Sequence, residues 1–352
     1  MPTPDRPLDR MGFLTIGLFD PDDPAAGHAT TLEVIELGER LGFDSAWVRH
    51  RHLQHGISSP VAVLAAATQR TERIDLGTAV NPLAWENPLR LAEDLATVDV
   101  LAGGRLNPGI SVGPPMNWES VRDALYPDTA EVEDLGYGRV ERLLAFVAGE
   151  QASDFAGTRG IEVFSKRVEP HAAGLRQRMW YGGASLRSAA WAGDHAMNFL
   201  TSSVVKAEQP EDQPTPDFAD IQLAQVRAFR AAHPDGDRAR VSQGLVVVPT
   251  DSATAEQRAK YTAYAESRLA RTRTPQGPAR MLFAPDLVGP AEQIAERLYA
   301  HAAFREVTEV AFALPFSFEP EDYVQILTDI ATRLGPALGW APRGSASGGG
   351  TG

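Results

Sequence analysis

The sequence contains no cysteine among its 352 residues. This absence excludes disulfides, thiolate metal sites, iron–sulfur clusters and cysteine nucleophiles, so any chemistry must use other side chains. Long apolar runs are absent as well: no segment approaches the roughly 18 apolar residues of a membrane-spanning helix. The N-terminal segment MPTPDRPLDR also lacks the apolar centre of a signal peptide. We therefore expect a soluble, cytoplasmic protein with no membrane partner.

Positive charge is scarce: 33 Lys and Arg residues stand against 46 Asp and Glu, a net charge of −13. Nucleic acids and anionic membranes are bound by clusters of Lys and Arg, which this balance disfavours. With 43% hydrophobic and 22% charged residues, the composition is that of an ordinary globular protein. A small molecule is therefore the expected partner, and no nucleic acid.

Short β-type apolar runs alternate with longer amphipathic segments along the chain, which is typical of an α/β protein. Eight strands are predicted, at 13–19, 45–48, 74–80, 106–112, 179–181, 196–200, 241–248 and 309–314. Eight strands, each followed by a helix, predict a TIM-like (β/α)8 barrel with inserted loop segments. An open doubly wound sheet is the structural alternative.

Several local signals mark helix starts and domain limits. Asn87-Pro88 places a capping residue before a proline, and Thr30 with Glu33 predicts a capping box. Three segments, 114–136, 204–217 and 267–285, are longer than a minimal barrel needs and are expected over its mouth. We predict one barrel domain at 12–335 and a flexible Gly- and Ser-rich tail at 336–352.

The segment His50-Arg51-His52-Leu53-Gln54-His55 holds three of the eight histidines directly after the second strand. In a barrel, residues just beyond the C-terminal end of a strand line the active site, although a solvated polar loop would read the same way. A His-x-His metal pair would need further ligands at other strand ends. The residues after the fifth, sixth and eighth predicted strands are Gly182-Gly183, Thr201-Ser202 and Pro315-Phe316. Because no His or Asp is suitably placed at these strand ends, no metal is predicted.

Three other features are compatible with a bound ligand. The turn Tyr181-Gly182-Gly183-Ala184-Ser185 leads into a helix and predicts either an anion cradle or a tight turn with a capping serine. The small residues at 76–82 either leave room for a flat ligand or allow close strand packing. The segment 267–285 has four arginines and no acid, which indicates an anion site or a solvated helix end.

These features together resemble the bacterial luciferase-like family of flavin-dependent oxidoreductases. The resemblance rests on LGFDSAWV at 41–48 and on RIDLGTAVNPLAWENPLRLAEDLATVDVLAGGRLNPGISVG at 73–113. The Tyr181–Ser185 turn with Ala192-Gly193-Asp194, and then Leu287-Val288-Gly289-Pro290, follow in the same order. The resemblance implies a barrel that binds reduced FMN, or alternatively the deazaflavin F420, at the C-terminal mouth of its strands. It further implies a homodimer, and for an FMN enzyme a separate flavin reductase.

The same resemblance implies roles for individual residues. A non-proline cis peptide would fall at Ala79-Val80 and support the flavin ring. His52 would be the acid–base group, with Asn81 and Trp85 orienting ring and substrate. The cofactor contacts implied are Ala79, Val80, Ser111, Gly182, Gly183, Ser185, Arg271 and Arg273, the last two in a mobile lid segment.

The chain also departs from the family. His50-Arg51-His52 stands where Glu-His-His is common, and Ser111-Val112 stands where luciferase has a reactive cysteine and a phosphate-binding arginine. Pro114 replaces a glutamate of F420-dependent sugar-phosphate dehydrogenases. We therefore predict a monooxygenase that uses reduced FMN and oxygen on a small organic substrate, without light emission. The alternatives are an F420-dependent reductase or dehydrogenase and a non-catalytic flavin-binding subunit.

Overall fold

Eight parallel strands form the frame of the protein, whose computed structural model describes residues 7–210 and 212–342. The fourth strand has two parts, on either side of Pro108. The strands are β1 Arg10–Thr15, β2 Ser45–Val48, β3 Asp75–Thr78, β4 Leu106–Asn107 with Gly109–Ser111, β5 Trp180–Gly182, β6 Asn198–Ser202, β7 Val241–Gly244 and β8 Glu309–Ala313.

The strands follow one another in chain order around a closed ring. β1 lies between β8 and β2, and the order continues in register through β3. The first part of β4 pairs with β3 and its second part with β5, after which β6 and β7 lead back to β8. This ring confirms the predicted barrel, and the open doubly wound alternative is wrong. Every predicted strand segment overlaps one of the eight strands; β1, β5 and β6 extend beyond the predicted limits by one to three residues.

Helices cover the outside of the barrel. They are α1 Pro24–Arg40, α2 Pro60–Thr68, α3 Pro88–Leu101, α4 Trp118–Leu125, α5 Tyr137–Ala148, α6 Leu186–Asp194, α7 Phe218–Ala232, α8 Ala255–Arg268, α9 Ala291–Ala300 and α10 Pro320–Asp329. α10 continues through a π-helical segment, Ile330–Leu334, into Gly335–Ala337. None of the helices in the described part of the chain has the length and apolar character to cross a membrane.

Of the two helix starts predicted from capping residues, one is confirmed and the other is wrong. Asn87 caps α3 as predicted, since its side-chain oxygen accepts from Leu89 N at 3.0 Å. The capping box at Thr30 is wrong, because α1 already begins at Pro24, where the Asp23 carboxylate accepts from Ala26 N at 3.0 Å. A proline preceded by an acidic cap starts the helix earlier.

The barrel interior is filled by two tryptophans. Trp47 of β2 and Trp180 of β5 meet edge to face, with ring centroids 5.4 Å apart, and pack with Leu200 and Ala311. Gly77 of β3 lies against the Trp47 ring, and a Cβ there would overlap it. Close packing therefore explains the small residue at 77, and the tryptophans close the barrel below its C-terminal mouth.

The insertions lie on this mouth side. Segment 114–136 contains α4, and segments 204–217 and 267–285 are joined by an antiparallel pair, Val204–Lys206 with Met281–Phe283. A hairpin that was not predicted, Gly157–Arg159 with Glu162–Phe164, lies between α5 and β5.

The packed chain extends beyond the predicted domain limit at 335. Leu338 and Trp340 are buried, and Trp340 Nε1 donates to Asp44 Oδ2 at 2.8 Å. The predicted tail at 336–352 therefore starts too early, and its part at 343–352 lies outside the described residues.

Candidate active site

A cavity of about 430 Å³ opens at the C-terminal ends of the strands, above the two tryptophans. Apolar side chains from opposite sides of the barrel form its lower wall: Leu14, Ala79, Val80, Leu200, Ala311 and Ala313. Six predicted cofactor residues lie in the wall: Ala79, Val80, Ser111, Gly182, Gly183 and Arg271. Among the described residues, the wall does not include Ser185, Arg273, His52, Asn81 or Trp85.

The end of β3 forms one side of the cavity. The Ala79-Val80 peptide bond is cis, which confirms the predicted position. Just before it, Thr78 Oγ1 donates to Gly109 O at 2.7 Å and accepts from Gly109 N at 2.9 Å, which ties β3 to β4. A Cβ at Gly182 would overlap Val80 Cγ1. Glycine at 182 therefore keeps this side of the cavity flat.

The turn between β5 and α6 is a capped helix start. Ser185 Oγ accepts from Ser188 N at 3.1 Å, so the serine caps the helix, which is the alternative that the sequence left open. Leu186 N donates to Glu208 Oε2 at 2.7 Å, and this carboxylate takes up one of the free amides of the helix start. Gly182 and Gly183 are thus placed for a ligand, whereas the Ser185 hydroxyl already has an intramolecular role.

The upper wall carries four arginines, Arg49, Arg51, Arg268 and Arg271, and among the described residues that line it there is no Asp or Glu. Arg268 is neutralised by Asp286, with Nε 2.5 Å from Oδ2. Arg271 lies over the Phe283 ring, 4.3 Å from its centroid, and its buried Nε has no hydrogen-bond partner among the described residues. Burial lowers the pKa of Arg271, and the nearby Arg268 lowers it further. Arg273 is exposed.

His52 lies behind the wall and stacks on Trp85, with centroids 3.8 Å apart and an interplanar angle of 14°. Burial, together with the neighbouring His50, lowers the pKa of His52 to about 4. The ring is therefore neutral at pH 7. The structure brings His52 and Trp85 together with their flat faces against each other.

His50, which sequence reasoning set aside, does line the cavity and is fully engaged. Its Nδ1 is 2.9 Å from Asn81 Oδ1 and its Nε2 is 2.8 Å from Ser58 O. A carbonyl oxygen only accepts, so Nε2 carries a hydrogen. Burial lowers the pKa of His50. In the neutral ring with its hydrogen on Nε2, Nδ1 is an acceptor, so the contact with Asn81 is a hydrogen bond when the amide presents its NH2 group to the ring. Through these two contacts, His50 connects the loop after β2 to Asn81 and to Ser58, just before α2.

Glu86 is a titratable group that the sequence did not single out. Burial and the nearby Asp94 raise its pKa to about 7, while the Asn81 side chain acts in the opposite direction. Arg139 supports this loop from α5, since its Nη1 donates to the Glu86 carbonyl oxygen at 2.8 Å and to the Tyr126 hydroxyl at 2.7 Å. A partly buried carboxyl with a pKa near 7 is a common property of functional sites, although Glu86 does not line the cavity described above.

Arg49 and Ser242 were also missed. Strand alternation was the available signal for Arg49, because it lies two residues beyond the inward-facing Trp47. No signal in the sequence marked Ser242, whose buried hydroxyl has no hydrogen-bond partner among the described residues. Within those residues, no three His, Asp or Glu side chains are grouped so as to hold a metal ion.

The profile of the luciferase-like monooxygenase family matches residues 10–307. The chain belongs to this family. It is 31% identical over 156 residues to limonene 1,2-monooxygenase of Rhodococcus erythropolis, which covers 42% of this chain and 40% of that protein. It is also 31% identical over 111 residues to an F420-dependent glucose-6-phosphate dehydrogenase of Amycolatopsis mediterranei, which covers 30% of this chain and 33% of that protein.

These aligned segments span a third to two fifths of the curated relatives, so they leave activity and substrate open. Similarity of fold extends much further. The crystal structure of the monooxygenase RslO1 from Streptomyces bottropensis superimposes with a TM-score of 0.69 at 17% identity, covering 93% of this chain and 99% of that one. The match of the family profile to residues 10–307 confirms the family predicted from residues 41–48 and 73–113, and the superposition shows the shared fold.

Proposed function

We propose that this protein is a flavin-dependent monooxygenase that uses reduced FMN and oxygen on a small organic substrate. The observation that carries the proposal is the cavity at the strand ends, which combines a flat wall of small residues with arginines and no carboxylate among the described residues that line it. FMN has the complementary shape and charge, since it joins a planar ring to a phosphate dianion.

The residues present fit such a ligand. Ala79, Val80 and Gly182 form a flat surface on which a planar ring can lie. Arg271 has a buried Nε without a partner, which suits a phosphate oxygen. Ser242 offers a buried hydroxyl without a partner to a polar edge of the ring. Glu208 already occupies an amide of the α6 start, so we assign the phosphate to Arg271 rather than to Ser185.

Reduced FMN, when bound, supplies the electrons that activate oxygen. The chain's own residues would position the reactants and keep water away, because the lower wall is apolar and closed by Trp47 and Trp180. His52, Asn81 and Trp85 form a layer behind the wall. His52 remains our candidate acid–base group. Because it lies behind the wall, its neutral imidazole would act through one bridging water. Replacing His52 with Gln and finding unchanged turnover and an unchanged pH profile would refute that role.

The alternative is an F420-dependent reductase or dehydrogenase. The relatives include an F420-dependent glucose-6-phosphate dehydrogenase, and the arginine-rich wall suits either anionic cofactor. A non-catalytic flavin-binding subunit is the third reading. Titration with FMN and with F420, each oxidised and reduced, followed by assays of oxygen consumption and of hydride transfer, separates the three.

The cofactor assignment is tested with Arg271→Gln and with Arg142→Gln, an exposed arginine of α5, as the control. Loss of one charge-assisted contact predicts roughly tenfold or greater weakening of FMN binding in the Arg271 variant. Riboflavin, which lacks the phosphate, should bind both proteins alike. The proposal fails if the unmodified protein binds neither FMN nor F420.

We also propose a homodimer and a separate flavin reductase as partner. Support for the dimer comes from α2, PVAVLAAAT, which is apolar all round although Ala62 and Ala66 are exposed. Ala66→Glu should then lower the molar mass measured by light scattering to that of one chain. A molar mass that is already that of one chain before mutation excludes the dimer.

A further inference from the structure

Arg49 occupies a particular place in the cavity. Its main-chain amide donates to Thr15 O at 3.1 Å, so the chain continues β2 beside β1. Trp47 points into the barrel, Val48 packs in the layer between sheet and helices, and Arg49 therefore points inward again, into the cavity. The sheet itself thus holds this arginine at the mouth.

The guanidinium of Arg49 has no carboxylate partner within the described residues. It lies over the Phe316 ring, 5.0 Å from the centroid, and the adjoining cavity wall is formed by Leu14 and Ala313. The arginines at the N-terminal ends of the strands, by contrast, do have carboxylate partners: Arg240 is paired with Glu309 and Arg178 with Asp99. A half-buried cation in an apolar wall without a counter-charge is suited to bind an anion.

One cofactor phosphate does not account for this cation. Arg271 lies over Phe283, which pairs with Val204 just after β6, and in an eight-stranded ring β6 is opposite β2. Arg268 lies between the two arginines, near Phe316, and is already neutralised by Asp286. Three of the four cavity arginines therefore have no carboxylate partner among the described residues: Arg49 and Arg51 on the side of β2, and Arg271 on the side of β6. Arg51 differs from Arg49 in that its Nη1 donates to Met116 Sδ at 3.8 Å.

We propose that Arg49, with Phe316, binds the acidic group of the substrate, so that the substrate is a small organic carboxylate with an apolar body. This inference rests on the proposed function, since Arg271 is assigned to the cofactor phosphate. The guanidinium binds the carboxylate through two parallel hydrogen bonds. Leu14, Ala311 and Ala313 contact the apolar body and leave it above the flat wall at Ala79 and Val80.

The test uses FMN-loaded protein and three carboxylates, phenylacetate, cinnamate and octanoate, each compared with its neutral amide by titration calorimetry. At least one acid should bind roughly tenfold or more tightly than its amide, as expected for a hydrogen-bonded ion pair. Arg49→Gln should abolish this preference, Arg49→Lys should keep part of it, and Arg142→Gln on the surface of α5 should leave it intact.

Three results would overturn the inference: no acid is preferred over its amide, the preference survives in Arg49→Gln, or Arg49→Gln weakens binding of oxidised or reduced FMN more than twofold. The last result would show that Arg49 serves the cofactor. The Lys variant keeps the test decisive if the Gln variant folds poorly. Flavin binding is measured separately by absorbance. A protein that binds no flavin contradicts the proposed function, whereas a protein that binds flavin but shows no preference for acids contradicts only this inference.

Discussion

Replacing Glu86 with Gln should change how stability depends on pH. Glu86 lies in the loop before α3, facing the Asn81 amide, with Asp94, Tyr126 and Arg139 as its charged or titratable neighbours. Burial and Asp94 raise the pKa of the carboxyl from 4.5 to about 7. The folded protein therefore holds this proton more tightly than the unfolded chain does.

The sign and size of the effect follow from this difference. The stability contributed by protonated Glu86 is fully present below about pH 4.5 and is lost as the pH rises through about 7. At about 1.4 kcal/mol per pH unit, ionisation costs up to about 3 kcal/mol of unfolding free energy, an upper limit because the side chain is partly exposed. Glutamine resembles the protonated acid in shape and does not titrate.

We therefore expect Glu86→Gln to match the unmodified protein near pH 4.5 and to become more stable than it above pH 7.5. Urea unfolding at several pH values between 4.5 and 8.5 measures the difference. Glu296→Gln, at an exposed position of α9, is the matched control and should give a curve parallel to that of the unmodified protein. If the Glu86→Gln curve is also parallel across this range, the carboxyl is ionised throughout and the reasoning is refuted.

Other perturbations test the packing around the cavity. Gly182→Ala places a methyl group against Val80 and should cost roughly 1–3 kcal/mol of unfolding free energy while weakening flavin binding, measured by denaturation and absorbance titration. Trp180→Ala empties the fully buried barrel interior and should cost roughly 3–5 kcal/mol by urea denaturation; a smaller loss would mean that the neighbours refill the space. Arg139→Gln leaves several carbonyl oxygens and the Tyr126 hydroxyl without their donor. It should lower the unfolding free energy by roughly 3 kcal/mol or more. An unchanged midpoint of urea unfolding would contradict the proposed support of the loop by Arg139.

Several residues of the candidate site could not be chosen from the sequence. Reasoning by resemblance favoured His52, because it is the last residue of a familiar triplet, yet in the structure His50 lines the cavity and His52 stacks on Trp85. Ser185 and Arg273 had suitable residue types, but one is used in a helix cap and the other is exposed. Residue type and spacing indicate what a side chain is able to do and leave its direction undetermined.

The sequence by itself determined the eight strands and the cap of α3, because each depends on residues close together in the chain. The family followed from its resemblance to known sequences, and that resemblance implied the position of the cis peptide. Only the tertiary structure decided the partners and the burial of the titratable groups. Arg49 and Phe316 are brought together by β2 and β8, which are distant in sequence, and Arg268 is neutralised by Asp286 across the β7–β8 insertion. The pKa of Glu86 depends on burial in the loop that Arg139 supports from α5. Desolvation and charge pairing act through space, so they were settled only when the barrel closed.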